Sequence, residues 1–492
     1  MDQILKFSGD TRQQIQRGLA AGSLRQIGPK LYTSDLQTPL VDLVRREWKQ
    51  IAALVAPGAV IGYRTAIELE PTPEGVVHLV GKTKRMETYP GLVIAVHPGP
   101  GPLPGDIAFL DTLSVASPAR ALLESLKPSR RRSIIGLKNL PRDIIESKVE
   151  SRIRTYGESA ANELRDQARS LARDLDAERE LEILEGIIGT MLGSRSERLS
   201  SPPAIGRSVG QPYDGDRVEL FTSLATELAD SSPTVRPDPI GTATSFANVA
   251  FFDAYFSNYI EGTEFDVEEA RAIVFEEKQS SRPADAHDVL GTYRIVGDRQ
   301  EMSRSMATPQ IKWEDFFELM SGRHAEIMAA RPEVSPGKLK TEPNFAGQTR
   351  FVSPELVEGT LRKGFELLAT LDGGFRRAAF VMFLISEVHP FRDGNGRVSR
   401  VFMNAELVAD GQKRIIIPTV YREDYLLNLK AATNRRGFRG FLIMLDRAQD
   451  FVSRVSFSSY EIARAELEQA NAFESPTDSR LVLPPRQSGV LV

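Results

Sequence analysis

The chain contains no cysteine and only five histidines among its 492 residues. The absence of cysteine excludes disulfide bonds, thiolate metal sites and a cysteine nucleophile, and it favours a reducing compartment. The scarcity of histidine makes each one worth locating, because its side chain exchanges a proton near neutral pH.

Long apolar runs are also missing. No stretch of about 18 uninterrupted apolar residues occurs, so a membrane-spanning helix is not expected. The N-terminus, MDQILKFSGDTRQQ, is too polar and acidic for a secretory signal, and we expect a cytoplasmic protein. The net charge of −4 is nearly balanced, so contact with nucleic acid would depend on a local basic patch.

The residues that are present predict several folded domains. A hydrophobic content of 41% and a charged content of 26% are typical of soluble globular proteins. A chain of 492 residues is too long for one compact core and predicts about three domains. The fold class that we expect is multidomain.

Residues 1–50 have the pattern of a winged helix. A helical apolar spacing is followed by a break at Gly22 and by a Gly28-Pro29 turn before KLYT, which predicts a helix-turn-helix with a wing. The segment carries eight Lys or Arg against five acidic residues. Contact with DNA and a solvated helical face both explain this excess, and the two alternatives stay open.

Residues 51–195 predict an α+β module that ends in a charged helical segment at 141–193. The succession RQIGPKLYT, PGAVIGYRTAIEL and LSVASPARALLESL resembles the AbiEi-type antitoxin and transcriptional-regulator family. That resemblance implies a winged helix followed by a small α+β domain. Residues 196–240 are rich in Ser, Gly and Pro and predict a linker with a short helix, and residues 470–492 predict a flexible tail.

The stretch HPFRDGNGRVSR, residues 389–400, concentrates several reactive side chains. It follows an apolar helix and opens another, so its glycines lie at a helix N-terminus. Free backbone N–H groups and the helix dipole favour an anion there. Gly394 and Gly396 allow the backbone to approach a phosphate without a side chain in the way.

The polar residues of this stretch suit phosphate chemistry. Asp393 offers an oxygen ligand for Mg²⁺, and Asn395 offers a donor to a phosphate oxygen. Arg397 and Arg400 are three residues apart on one helical face, where they can hold successive phosphates. His389 can accept a proton from an incoming hydroxyl. The alternative is that the aspartate and asparagine only cap a helix while the arginines are solvated.

The stretch resembles the Fic family signature, His-Pro-Phe-x-Asp/Glu-Gly-Asn-Gly-Arg-x-x-Arg, at every defined position. The resemblance extends over residues 241–455 and implies an all-helical Fic fold with a β-hairpin flap. It implies transfer of AMP from ATP to a hydroxyl of a protein, with Asp393 as the Mg²⁺ ligand. The catalytic residues that it implies are His389, Asn395 and Arg397. The nucleotide-binding residues that it implies are Arg392, Asp393, Gly394, Asn395, Gly396, Arg397, Arg400, Tyr425 and Asn434.

The resemblance places the flap at PGKLKTEPNFAG, residues 336–347. The flap residues that it implies are Lys340, Thr341, Glu342, Pro343 and Asn344. Many relatives have Arg-Thr where this chain has Lys340-Thr341, so the target preference stays open. Doc-type kinases of the same superfamily replace the Gly-Arg of the turn with a version that contains Lys. The presence of Arg397 and Arg400 therefore favours nucleotide transfer over phosphorylation.

A second motif, SNYIEG, precedes the Fic core. Ser257 and Glu261 are four apart and share a helical face, and Gly262 is suited to end the helix. A carboxylate in the last turn faces the negative end of the helix dipole, so we expect a cation nearby; the alternative is an exposed glutamate without a partner. The motif resembles the inhibitory pattern Ser/Thr-x-x-x-Glu-Gly/Asn. It implies an inhibitory helix at about residues 244–262, whose glutamate pairs with Arg400 in the space of the γ-phosphate.

The leading hypothesis is an autoinhibited protein adenylyltransferase. It would modify a Tyr, Ser or Thr hydroxyl of a target protein or of itself, and it would also support removal of AMP. The alternative is a DNA-binding regulator or antitoxin-like protein that uses its Fic domain as a nucleotide sensor. Labelling of protein by ATP and Mg²⁺ would indicate the first, and a mobility shift of promoter DNA the second. Dimers are common in the family, so a homodimer is a further expectation.

Overall fold

The computed structural model describes residues 4–128, 137–239, 241–306, 311–347, 349–435 and 437–485. The chain divides into two compact units, Met1–Gly210 and Gln211–Val492. Each unit has its own apolar core. Among the described residues, no helix is both long and apolar enough to cross a membrane.

The N-terminal unit combines a β-rich part with a helical part. Its strands are β1 (Ile4–Lys6), β2 (Arg25–Gly28), β3 (Leu31–Thr33), β4 (Val60–Ile61), β5 (Val76–Gly81), β6 (Arg85–Tyr89), β7 (Leu92–Pro98), β8 (Ile107–Phe109) and β9 (Leu113–Val115). Its helices are α1 (Arg12–Ala20), α2 (Leu40–Arg46), α3 (Trp48–Val55), α4 (Tyr63–Glu68), α5 (Pro118–Leu126), α6 (Arg142–Ala172), α7 (Glu178–Met191) and α8 (Pro202–Ser208). The strands form a three-stranded sheet in the order β1-β3-β2 and a six-stranded sheet in the order β6-β7-β5-β4-β9-β8.

The predicted helix-turn-helix is wrong for residues 4–33. Helix α1 is followed by strand β2, which pairs with β3, so the second helix is absent from this described stretch. Strand pairing is favoured because the side chains of Ile27 and Leu31 face the core and are buried. The turn at Pro29 joins the two strands into a hairpin where the wing was expected.

The predicted domain boundary at residue 50 is also wrong. Helix α3 spans that position, and its Trp48 and Ile51 pack in the same core as Leu31 and Ile94. The first fifty residues therefore share a core with the six-stranded sheet instead of forming a separate domain. Helices α6 and α7 confirm the predicted helical segment at 141–193. The resemblance to the AbiEi-type family stays a prediction.

The C-terminal unit is almost entirely helical. Its helices are α9 (Gly215–Asp230), α10 (Ala243–Ile260), α11 (Val267–Glu276), α12 (Pro283–Val296), α13 (Arg299–Met302), α14 (Trp313–Ile327), α15 (Val357–Leu368), α16 (Gly374–Val388), α17 (Asn395–Ala409), α18 (Arg422–Arg435), α19 (Arg439–Arg454) and α20 (Tyr460–Gln469). Two short strands, β10 (Phe345–Ala346) and β11 (Thr349–Arg350), form an antiparallel hairpin. Three 3₁₀ turns cover Pro332–Val334, Pro354–Leu356 and Thr419–Tyr421.

Helix α16 lies at the centre of the C-terminal unit. Every residue from Ala378 to Val388 is buried, which is typical of a helix surrounded by other elements. Helix α17 packs along α16, and the segment that joins them carries HPFRDGNG. The all-helical fold expected for this part of the chain is confirmed.

Residues 196–240 are not the linker that their composition predicts. Helix α8 belongs to the first unit, and helix α9 packs into the core of the second. Leu220, Leu224 and Leu228 recur every four residues on α9, and all three are buried. The C-terminal unit therefore begins at Gln211, well before the predicted start of the domain.

The predicted flexible tail, residues 470–492, is contradicted in its described part. Ala472 and Leu481 are buried in the core of the C-terminal unit. Their burial holds the chain against the helices after α20 has ended. Residues 486–492 lie outside the described residues.

Candidate active site

The segment between α16 and α17 makes a tight turn over the start of α17. His389 ends α16 in the left-handed region (φ +53°), and Gly394 has φ +75° just before α17 begins at Asn395. The N–H of Val398 donates to the carbonyl of Gly394 as the first turn closes. The three preceding N–H groups have no partner within the helix, so they and the helix dipole form an anion-binding end.

Close contacts require both glycines of the turn. A Cβ atom on Gly394 would lie 2.8 Å from Sδ of Met328, and one on Gly396 would lie 2.1 Å from Oε1 of Glu261. Gly394 also needs its positive φ, which side chains with a Cβ rarely adopt. The bare backbone at Gly396 can therefore hold an oxygen atom in close contact, and a carboxylate oxygen lies there.

His389 presents one ring nitrogen as a proton acceptor. Its Nδ1 lies 3.2 Å from the carbonyl oxygen of Ser386. A carbonyl oxygen only accepts, so Nδ1 carries the proton and Nε2 keeps a lone pair. The ring of Phe351 stacks on the imidazole with 3.8 Å between centroids. Burial lowers the pKa of His389 to about 4, so the ring is neutral at pH 7 and suited to general-base chemistry.

The side chain of Asn395 shapes the turn. Its Oδ1 accepts from the N–H of Phe391 at 2.8 Å, and its Nδ2 donates to the carbonyl of Phe391 at 2.9 Å. The contact to the carbonyl uses one of the two hydrogens on Nδ2, so the expected donation from this side chain to a phosphate oxygen stays a prediction.

His324, on α14, supports the turn from the other side and was not assigned this role from the sequence. Its Nδ1 accepts from the N–H of Gly337 at 2.8 Å, so its Nε2 carries the proton and donates to the carbonyl of Asp393 at 3.0 Å. Its ring stacks on Phe391 with 3.8 Å between centroids. Burial lowers the pKa of His324 to about 4, which keeps this pattern of donors and acceptors fixed at neutral pH.

Asp393 and Arg392 are the two exposed side chains of the turn. Oδ1 of Asp393 accepts from the N–H of Gly394 at 2.7 Å, which fixes the carboxylate beside the anion-binding end. Arg392 donates to the carbonyl of Glu333 at 3.1 Å. It is not among the described residues that line the cavity presented below. The predicted metal ligand, Asp393, therefore lies beside the anion-binding end of α17. Arg392, which was predicted to bind the nucleotide, contacts the backbone of Glu333.

Arg397 and Arg400 are both buried, and each has its own partners. Arg397 lies 2.6 Å from a carboxylate oxygen of Asp288 on α12. Arg400 donates to the hydroxyl oxygen (3.0 Å) and the carbonyl oxygen (2.8 Å) of Ser257 and to Oε1 of Glu261 (2.7 Å). Of these two predicted phosphate holders, only Arg400 faces the cavity described below.

Glu261 lies where α10 ends, beside Arg400. Gly262 follows with φ +88° and ends the helix, as its residue type predicts. The carboxylate faces the negative end of the α10 dipole, and Arg400 is the cation that compensates it. Ser257 and Glu261, which were expected to share a helical face, both contact this guanidinium.

A cavity of about 330 Å³ lies between His389, Gly396, Arg400 and Glu261. It is lined by the end of α10, the β10–β11 hairpin, the segment around the α16–α17 turn, and α18. The lining residues are Glu261, Ala346, Thr349, Phe351, Ser386, Glu387, His389, Gly396, Arg400, Tyr425, Leu426, Leu429, Lys430 and Thr433. Of the two predicted adenosine contacts, Tyr425 lines the cavity, whereas Asn434 is exposed and its neighbour Thr433 lines the cavity instead.

Known proteins are similar in sequence to the part of the chain that forms this site. Residues 315–407 match the Fic/DOC family. A Fido domain-containing protein of Dictyostelium discoideum is 32% identical over 104 residues, which are 20% of this chain and 73% of that protein. This chain belongs to the Fic/DOC family. The protein adenylyltransferase fic-1 of Caenorhabditis elegans is 27% identical over 191 residues, which are 37% of this chain and 36% of that protein.

The Fic relatives match only part of the chain. A solved structure of residues 134–508 of Fic-1 from C. elegans covers 66% of this chain and 98% of that one, at 18% identity and a TM-score of 0.36. The chain spans just over a third of the length of the curated adenylyltransferases fic-1 that it matches.

The antiparallel hairpin of this unit begins near the end of the predicted flap segment, and its role as a flap stays a prediction. The hairpin strands start at Phe345, after most of the predicted segment at 336–347. Lys340 and Asn344 lie before the strands and contact the Fic motif. The predicted flap residues between them are exposed: Thr341, Glu342 and Pro343.

Lys340 and Asn344 attach this segment to the Fic turn. The N–H of Lys340 donates to the carbonyl of Pro390 at 2.9 Å, and its amine donates to Oδ1 of Asn344 at 2.7 Å. Nδ2 of Asn344 donates to the carbonyl of Phe391 at 2.9 Å. Lys340 is buried, and burial lowers its pKa to about 7. The turn is therefore held by α14 on one side and by Lys340 and Asn344, which we call the flap base, on the other.

Lys340→Met should change how stability depends on pH. The pKa of Lys340 is about 7 in the folded protein against an ordinary 10.5, so folding disfavours the charged form of this side chain. The unfolded chain binds more protons between these values, and the free energy of unfolding of the wild type rises with pH there. The stability of Lys340→Met relative to wild type should fall by about 2 kcal/mol between pH 7 and pH 9.5.

Urea unfolding at several pH values measures this difference. Lys338, two residues earlier, is exposed, so Lys338→Met is a matched control that removes a lysine without emptying a buried site. A difference between Lys340→Met and wild type that stays constant from pH 7 to pH 9.5 would contradict the assignment of a buried amine with a lowered pKa.

Proposed function

We propose that the C-terminal unit transfers AMP from ATP to a hydroxyl group of a protein and that Glu261 restrains this reaction. The observation that carries the proposal is the cavity itself. It joins the open Nε2 of His389, the anion-binding end of α17 at Gly396, and the guanidinium of Arg400. The relatives named protein adenylyltransferase support the same reaction class.

The reaction assigns one role to each group. A Tyr, Ser or Thr hydroxyl oxygen attacks the α-phosphorus of ATP, and the bond from that phosphorus to the oxygen of the β-phosphate breaks. AMP becomes bonded to the protein, and pyrophosphate leaves. Nε2 of His389 takes the hydroxyl proton. The N–H groups of α17 and the guanidinium of Arg400 stabilise the negative charge on the phosphates.

The residues of the turn fit a magnesium ion that is shared with the nucleotide. Asp393 is exposed and fixed beside the anion-binding end by the N–H of Gly394. No cluster of three or more His, Cys, Asp or Glu side chains able to hold a metal occurs among the described residues. A single carboxylate suits Mg²⁺, which takes its other ligands from phosphates and water. When bound, the ion would neutralise charge on the phosphates.

Autoinhibition follows from competition between two anions. Oε1 of Glu261 lies 2.7 Å from Nη2 of Arg400 and occupies the space above Gly396. A phosphate oxygen would bind the same guanidinium and the same bare backbone. A phosphate and the carboxylate of Glu261 would then be in direct contact, where two negative charges repel each other. ATP would then lack a productive position for its γ-phosphate. The same carboxylate is near enough to the phosphate end to act on water, so we include removal of AMP in the proposal.

Mass spectrometry of the Glu261→Gly protein tests this function. The full chain is incubated with ATP and Mg²⁺, alone and with candidate target proteins, and intact masses and peptides are measured. We expect the mass of AMP less water on a hydroxyl-bearing residue, and no added mass with His389→Ala in the same background. Absence of nucleotide from every protein in the reaction would overturn the proposed function.

The N-terminal unit and the state of assembly add no second proposal. Contact with DNA rests on the basic excess of residues 1–50, and the predicted helix-turn-helix that would carry it is not formed. A homodimer stays a prediction.

A further inference from the structure

We propose that Glu387, oriented by Thr433, binds an exocyclic amino group of the nucleobase at the end of the cavity opposite the phosphates. The inference rests on the proposed function, because it requires a nucleotide in this cavity. It adds the chemical property by which the site selects its nucleotide.

Helix α18 gives the cavity two ends. Tyr425 contacts Arg400, with 3.4 Å between its hydroxyl oxygen and Nη1. Thr433 lies eight residues further along the same helix and also lines the cavity. At 1.5 Å per residue the two positions are about 12 Å apart. If the phosphates lie at Arg400 and Gly396, the base extends toward Thr433.

Glu387 is a buried carboxylate at the Thr433 end. It is 3% exposed, and it lines the cavity from α16. Its Oε2 accepts from the hydroxyl of Thr433 at 2.7 Å, and its Oε1 accepts from Arg217 of α9. Each carboxylate oxygen can accept two hydrogen bonds, so both oxygens keep accepting capacity. The ion pair with Arg217 keeps the group charged, and it therefore presents acceptors and no donor.

The surroundings fit the flat face of a base. Leu426 and Leu429 line the wall between the two ends, and Ala346 of the hairpin lines the cavity as well. Lys430 of α18 lines the cavity as well, and its amine is a donor, so the fixed carboxylate of Glu387 is the acceptor that an amino group on a base would need. An amino group on the ring edge would donate to Glu387. A ring that has only C–H at that position would leave the buried carboxylate facing no donor, which costs affinity.

Two nucleotides isolate this contact. Purine riboside 5′-triphosphate differs from ATP only by the absence of the 6-amino group. Dissociation constants are measured by calorimetry in the presence of Mg²⁺ on the full chain with Glu261→Gly and His389→Ala, so that the inhibitory carboxylate does not exclude the phosphates and transfer does not consume the ligand. In this parent protein we expect ATP to bind about tenfold or more tightly than purine riboside triphosphate. In the Glu387→Gln variant this ratio should fall to about threefold or less.

Matched variants separate recognition from structural support. Glu423→Gln removes an exposed carboxylate of α18 that is not among the described residues lining the cavity, and it should keep a ratio of about tenfold. If Glu387→Gln does not fold, Thr433→Val removes the hydroxyl that orients the carboxylate with little change in volume. It should lower the ratio about threefold or more. A melting curve of each variant shows whether it is folded.

The outcomes are distinct. A ratio that falls in Glu387→Gln and persists in Glu423→Gln supports the proposal. Tight binding of ATP with the same ratio in the parent, Glu387→Gln and Thr433→Val would overturn it and leave the proposed function intact. Absence of binding of either nucleotide to the parent would overturn the proposed function and this inference together.

Discussion

Replacing Glu261 with glycine should raise the rate of AMP transfer by about tenfold to a hundredfold. The side chain is 27% exposed, and its partner Arg400 is 4% exposed, so water screens the pair only partly. Removing the carboxylate frees the guanidinium and the backbone at Gly396 for a phosphate. A charge-assisted hydrogen bond contributes about 1.5–3 kcal/mol, which corresponds to this range of rates when it is exchanged for one to the nucleotide. Transfer is measured with labelled ATP.

Two further variants test whether charge and position explain that increase. Glu261→Gln keeps the volume above Gly396 and removes the negative charge, so its rate should lie between those of wild type and Glu261→Gly. Glu264→Gly removes an exposed carboxylate from the same loop and should leave the rate unchanged. An unchanged rate in Glu261→Gly, or an equal increase in Glu264→Gly, would contradict the inhibitory role.

The parts of the site that sequence analysis predicted well are set by local geometry. Gly394 and Gly396 sit at a helix start, and that placement follows from the apolar spacing on either side of the motif. Ser257 and Glu261 share a face because four residues make about one helical turn. These predictions needed only the order of residues within one or two turns.

The parts that sequence analysis missed depend on contacts between distant segments. His324 holds the turn from 69 positions away along the chain, at Asp393, and no spacing rule connects the two. Phe351, which directly follows the β10–β11 hairpin, stacks on His389, 38 positions further along the chain. Tertiary contacts decided each of these cases.

The N-terminal boundaries failed for a related reason. Turn residues and composition mark where the chain changes direction, but they do not show which elements share a core. Helix α3 crosses the predicted boundary at residue 50 because Trp48 and Ile51 pack with the six-stranded sheet. Residues 196–240 predict a linker because their Ser, Gly and Pro content outweighs the apolar spacing of helix α9.

Replacing His389 with alanine should lower the rate of transfer by about a hundredfold to ten-thousandfold, as expected for loss of a general base. ATP binding should persist, since the phosphates are held by α17 and Arg400. Transfer and nucleotide binding are measured on the same protein in the Glu261→Gly background. Transfer at the parent rate in His389→Ala would show that another group takes the proton.

The dependence on pH identifies the same residue by a second route. Burial lowers the pKa of His389 to about 4, with Lys340, Glu261 and Asp393 as the charged groups that act on it from the flap base, α10 and the turn. A base must be neutral, so the fraction of active protein should stay close to complete from pH 8 down to pH 6. A histidine with an ordinary pKa near 6.5 would lose about half of its activity at pH 6.5. A half-maximal rate near pH 6.5 would therefore contradict the buried, neutral imidazole on which the proposed reaction depends.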